Sequence, residues 1–141
     1  LALGDRLLAL WEGGAPHALT LDTLATIGLD NLPGLNQRPF SAHPKRDLQT
    51  GAIYNFGVTI GATSKLNVYQ LDATGAVQRE RIIPLTGIPL VHDWAIAGRY
   101  LIFCVPPVQI NALPVLARLK SFSDAMEWKP QNGTEIIVLD R

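Results

Sequence analysis

The chain has 141 residues, with 12 Lys and Arg against 12 Asp and Glu, and so carries no formal net charge. That length allows one domain with a modest core, and zero net charge removes the long-range attraction that nucleic-acid binding draws on. Hydrophobic residues make up 48% and charged residues 17%, which argues against disorder, while no apolar run reaches the roughly 18 residues a membrane helix needs.

Short apolar or alternating runs, separated by Gly, Pro, Asn and Asp, predict an all-β chain. A buried strand is expected over residues 6–11, broken at Gly13-Gly14, where the backbone has unusual freedom. Strands over 17–20 and 24–27 pair around Leu21-Asp22-Thr23, and 28–38 reads as a loop. A short strand is expected at 40–43. Residues 52–60, 65–71 and 76–83 form a meander, its second turn at Ala73-Thr74-Gly75. In the middle strand, Leu66, Val68 and Gln70 share one face, and Lys65, Asn67, Tyr69 and Leu71 the other. Residues 91–96 and 100–105 form a hairpin turning at Gly98-Arg99. After Pro106-Pro107 the period changes, and 113–119 reads as a short helix or an apolar loop before a last strand at 134–139. Hairpin units at this spacing mean a sandwich, a barrel or a propeller. The chain opens and closes on strand-like segments, so it is expected to be a piece of a longer protein.

Few residues carry chemistry. Cys104 lies in the apolar run Tyr100-Leu101-Ile102-Phe103-Cys104-Val105 and is expected to be a buried, inert thiol. There are three histidines, His17, His43 and His92. Spacing alone makes a metal site a minority hypothesis, because His43 and His92 are far apart in the chain. Context raises it. His43 precedes Pro44, which pushes it into an extended conformation. His92 is expected on one strand face with Trp94 and Ile96, where an imidazole is costly unless it is ligated or hydrogen-bonded. Glu12 ends the apolar run Leu7-Leu8-Ala9-Leu10-Trp11. It is either a solvated turn residue or a carboxylate that takes the N–H of a metal-bound imidazole.

Two motifs then stand out: Ser41-Ala42-His43-Pro44-Lys45-Arg46-Asp47-Leu48-Gln49-Thr50-Gly51 followed by Asn55-Phe56-Gly57, and Val91-His92-Asp93-Trp94-Ala95-Ile96 followed by Tyr100-Leu101-Ile102-Phe103. With Trp11-Glu12-Gly13-Gly14 before them and Trp128-Lys129-Pro130 after, the chain resembles the carotenoid cleavage oxygenase family along nearly its whole length. Leu48, Ala52, Trp94 and Ala97 depart from the family's commoner residues, and none of them is at a ligand position.

The resemblance implies part of a seven-bladed β-propeller, with residues 1–141 a partial propeller domain and no separate second domain. It implies one Fe(2+) per full-length subunit, bound by four histidines, with no organic cofactor. His43 and His92 match the first two ligands, and the other two would lie beyond Arg141. Glu12 matches a glutamate that hydrogen-bonds a ligand, expected to serve His92, while His17 matches no ligand position. The implied activity is a dioxygenase that cleaves a conjugated C=C bond of a carotenoid or apocarotenoid with O₂, giving aldehyde or ketone products. The alternatives are stilbene cleavage on the same fold and a non-catalytic propeller interaction module. The implied partners are a lipophilic polyene and O₂, without nucleic acid. The implied setting is cytoplasmic with peripheral membrane contact, through a patch of Leu113, Val115, Leu116 and Leu119. This piece alone is expected to be inactive and poorly folded, because an open ring exposes strand edges.

Overall fold

Antiparallel pairing between neighbours in sequence organises nearly all of the chain. The computed structural model describes residues 1–141 and divides into two compact units. The first comprises Leu1–Thr59 with Lys65–Ile83, and the second Ile60–Ser64 with Pro84–Arg141.

In the first unit, β1 (Ala2–Leu3), β2 (Arg6–Ala9), β3 (His17–Thr20) and β4 (Thr26–Leu29) form one four-stranded meander. The strands β5 (Lys45–Arg46), β6 (Ile53–Thr59), β7 (Ser64–Leu71) and β8 (Val77–Leu85) form another. One core is built from Leu3, Leu8 and Ala18 of the first sheet, Ile53, Tyr69 and Leu71 of the second, and Leu32, Leu35 and Phe40 between them. The loop expected over 28–38 starts only after β4, since Gly28 and Leu29 pair with Ala18 and His17, and Leu32 and Leu35 within it are wholly buried, so it works as a plug in the core. Phe40 stacks on Tyr69 with ring centroids 6.2 Å apart. Arg38 lies over the Tyr69 ring, pairs with Glu80 and donates to the Leu35 and Gly34 carbonyls. Burial raises the Tyr69 hydroxyl well above the usual phenol range.

The meander turn at Ala73-Thr74-Gly75 forms as its chemistry predicts. Gly75 takes φ +93°, and the Asp72 carboxylate accepts from the Thr74 hydroxyl and from the N–H groups of Thr74 and Ala76. The Thr74 hydroxyl in particular holds the Asp72 carboxyl below the usual range.

The short strand expected at 40–43 does not form. Phe40 makes a single bridge to Trp11, and pairing resumes at β5. Pro44 has no N–H to continue a ladder, and the Phe40 N–H goes to the Gly14 carbonyl. The strand expected at 24–27 lies two residues later, because Leu24 takes a positive φ and belongs to the turn.

In the second unit, β9 (Trp94–Ala97) and β10 (Tyr100–Val105) make the expected hairpin, with Gly98 at φ +57°. Next come β11 (Val108–Ile110), the one-turn helix α1 (Ala112–Leu116), β12 (Met126–Trp128) and β13 (Glu135–Asp140). The hairpin extends to a three-stranded sheet in the order β13-β10-β9, and β11 pairs with β12. Neither β11 nor β12 is foreseen in the sequence, since each is only three residues long. Leu101, Phe103 and Val105 are buried in alternation along β10. That alternation turns Cys104 outward, and the thiol is exposed rather than buried as the run of apolar neighbours suggested.

Gly57 tests the packing of the first unit. A Cβ there would lie 1.9 Å from the Pro39 carbonyl oxygen, so backbone must move. Gly57→Ala is expected to destabilise by about 3 kcal/mol. Gly61→Ala, whose nearest neighbour is 3.7 Å away, should stay within about 0.5 kcal/mol of the parent. Urea unfolding followed by circular dichroism measures both.

Candidate metal centre

Glu12 and His43 are placed by one local device. After β2 the chain breaks at Trp11-Glu12-Gly13-Gly14, and the Trp11 indole folds over the two glycines. A Cβ at Gly13 would come 2.4 Å from the ring, and one at Gly14 would come 2.6 Å from it. The indole N–H donates to the Ala15 carbonyl at 3.2 Å. On the other side of this turn, Trp11 bridges Phe40, and the Phe40 N–H donates to the Gly14 carbonyl at 3.0 Å. The segment leading to His43 is thereby drawn past the Glu12 carboxylate. Glu12 Oε1 lies 3.8 Å from His43 Nε2, with the side chains 42% and 31% exposed. That separation is too long for a direct hydrogen bond, yet short enough for both atoms to serve a common centre.

The rest of the first motif closes the loop behind His43. The Asp47 carboxylate accepts from the Gln49 N–H at 2.9 Å and the Thr50 hydroxyl at 3.0 Å. The Asp47 N–H donates to Ala52, and the Asp47 carbonyl accepts from Gly51, which takes φ +74°. Lys-x-Asp-x-x-Thr-Gly is therefore a turn-forming unit. Leu48 is 93% exposed within it.

His92 lies in the second unit, just before β9. The expectation that it shares a strand face with Trp94 and Ile96 is corrected: β9 begins at Trp94, and the Asp93 carboxylate accepts the Trp94 N–H at 2.7 Å. Val91 and Trp94 are buried on either side, which leaves His92 and Asp93 exposed between two anchors. Trp94 stacks on Phe103, its partner across the hairpin, at 5.3 Å. In the first unit Glu12 and His43 can each offer a ligand atom to a common centre, and His92 is the candidate ligand of the second unit. His17 sits on β3 between Ala9 and Leu29.

Two residues quoted in the motifs but given no role in the sequence reading also belong here. Ser41 and Asn55 are a fully buried polar pair immediately behind His43. The available signal was an asparagine inside the apolar run Ile53-Tyr54-Asn55-Phe56. The proposed apolar patch divides: Leu113, Leu116 and Leu119 are 78–79% exposed, whereas Val115 is half-buried.

Comparison with known proteins gives a consistent result. The family described as Retinal pigment epithelial membrane protein matches residues 1–141. The chain is 37% identical to apocarotenoid-15,15'-oxygenase of Synechocystis sp., over 98% of this chain and 30% of that protein. It is 32% identical to resveratrol cleavage oxygenase 1 of Botryotinia fuckeliana, over 97% of this chain and 25% of that one. Cobalt-substituted Synechocystis apocarotenoid oxygenase superposes with a TM-score of 0.86 and 36% identity, covering 100% of this chain and 31% of that structure. The chain thus spans less than a third of the length of these relatives. The structural match assigns its sheets to part of a β-propeller, the fold class expected from the sequence.

Asp47 carries the turn behind His43, so Asp47→Ala should cost about 2 kcal/mol through two lost hydrogen bonds to a charged acceptor. Asp47→Asn, which keeps one acceptor, should cost less. Thermal unfolding of the two variants measures the difference.

Proposed function

The chain belongs to the carotenoid cleavage oxygenase family, that of the retinal pigment epithelial membrane protein, and from that premise we propose that the full-length protein is a non-haem iron(II) dioxygenase that splits a conjugated C=C bond of a carotenoid or apocarotenoid. One O₂ is consumed, and each carbon of the broken bond becomes an aldehyde or ketone carbonyl. The observation that carries this reading is the 37% identity to an apocarotenoid oxygenase across 98% of the chain.

In this reading His43 and His92 are two of the iron ligands, and Glu12 orients an imidazole beside them. The donor set suits the ion: imidazole is an ordinary ligand for iron, and neutral ligands leave the full charge on the metal. A relative of the same fold was solved with cobalt in place of its metal, which supports a metal-holding role. Bound there, iron supplies the redox chemistry that lets O₂ react with a closed-shell alkene. The protein's own part is to hold the imidazoles in place and to present an apolar path to a substrate with few polar handles. Residues 1–141 form one partial propeller domain in this scheme and are inactive without the remaining ligands.

A cytoplasmic protein with peripheral membrane contact fits a substrate dissolved in lipid. Leu113, Leu116 and Leu119, with Val115 beside them, would enter the bilayer surface, and Arg118 and Lys120 lie next to them for anionic headgroups. Each inserted leucine contributes up to about 2 kcal/mol, and each basic residue about 1 kcal/mol. Cleavage of a stilbene is the second reading, favoured by the 32% identity to resveratrol cleavage oxygenase 1.

Metal analysis of the full-length protein should find one iron per subunit, and His43→Ala and His92→Ala should each abolish iron retention and turnover. Glu12→Gln should weaken iron affinity about 10- to 100-fold. An iron-free protein that stays inactive after reconstitution would indicate an interaction module instead. Product analysis with an apocarotenal and with resveratrol separates the two substrate classes. Leu116→Glu should reduce binding to liposomes containing anionic lipid; unchanged sedimentation would remove the patch from the scheme.

A further inference from the structure

We propose that Ser41 and Asn55 are positioning residues for the His43 imidazole, acting through the main chain. The proposal rests on the reading of His43 as a metal ligand.

Ser41 is 1% exposed and Asn55 0%. The Ser41 hydroxyl donates to Asn55 Oδ1 at 2.6 Å, and Asn55 Nδ2 donates back to the Ser41 carbonyl at 2.8 Å. The Ser41 N–H donates to the Phe56 carbonyl at 2.7 Å. The Ser41 oxygen in turn accepts the His43 N–H at 3.3 Å. Both main-chain groups of Ser41 and its side chain are thus engaged, and all three bonds end on β6. That strand is interior to its sheet, paired on both sides, to β5 and β7.

His43 needs such a tie. It follows a strand that fails to form, and Pro44 after it has no N–H to donate. The His43 N–H is therefore the last donor before the chain reaches β5, and a side-chain oxygen takes it. The pair is chemically specific. Asn55 must accept from a hydroxyl and donate to a carbonyl at once, which an amide does and a carboxylate or an alkyl group does not. A buried polar pair adds little net stability over an apolar pair of the same shape. What it adds is one defined geometry, here two residues from a candidate ligand.

The test uses the full-length protein in metal-free form, titrated with Fe(2+) and, separately, with Co(2+), whose visible absorption bands report ligand geometry. Ser41→Ala removes the acceptor for the His43 N–H, while Ser41→Thr keeps it. Ser41→Ala is expected to bind Fe(2+) about tenfold more weakly and to shift the cobalt bands, with Ser41→Thr close to the parent on both. Ser41→Cys fills the site with a poor hydrogen-bonding group, should behave as Ser41→Ala does, and decides the question if Ser41→Ala does not fold. Parental affinity and cobalt bands in Ser41→Ala, alongside a lowered metal-free Tm, would show a purely structural role and overturn the proposal. A parent protein that binds neither ion overturns the metal-centre reading itself, so the two failures are distinct.

Discussion

The site depends on one close approach of backbone to backbone. The Phe40 N–H reaches the Gly14 carbonyl, and Phe40 bridges Trp11, where the first sheet has just ended. This crossing brings Glu12 within 3.8 Å of His43, although 30 residues separate them in the chain. It needs a turn with no side chains under the Trp11 ring, which is what Gly13-Gly14 supplies. It also needs Phe40 anchored, and that ring is wholly buried in the core against Tyr69.

The family motifs surround this crossing as architecture more than as chemistry. Asp47, Thr50 and Gly51 close a turn; Gly57 lets Pro39 approach; Ser41 and Asn55 tie the chain between Phe40 and Pro44 to the central strand. Only His43 presents its side chain toward the candidate centre from that first motif. The second motif is built on the same plan. Val91 and Trp94 are inward anchors, and His92 stands between them, outside the ladder. In both cases a histidine sits where regular pairing has stopped.

Much was legible beforehand, and for identifiable reasons. The turns at Gly75 and Gly98 follow from residue types that accept positive φ, and the strands beside them follow from period-two patterning. Where local pattern was ambiguous the reading failed. The apolar neighbours of Cys104 suggest burial, but only every second residue of β10 faces inward. Residues 40–43 read as a strand, but Pro44 has no N–H for a ladder and the Phe40 N–H goes to the Gly14 carbonyl. The leucines of the 28–38 loop gave no periodic signal, and yet Leu32 and Leu35 close the core.

From its sequence alone the chain declared an all-β architecture, its principal hairpins and, through the motif resemblance, the histidines and glutamate worth attention. These are local properties, set by residue type and by spacing of a few positions. Tertiary structure decided the rest: that Glu12 and His43 are neighbours, that His92 stands outside its strand, and that a serine and an asparagine 14 residues apart form one buried pair behind His43. Those relations join residues distant in sequence, and no local periodicity encodes which distant backbone a given N–H will find.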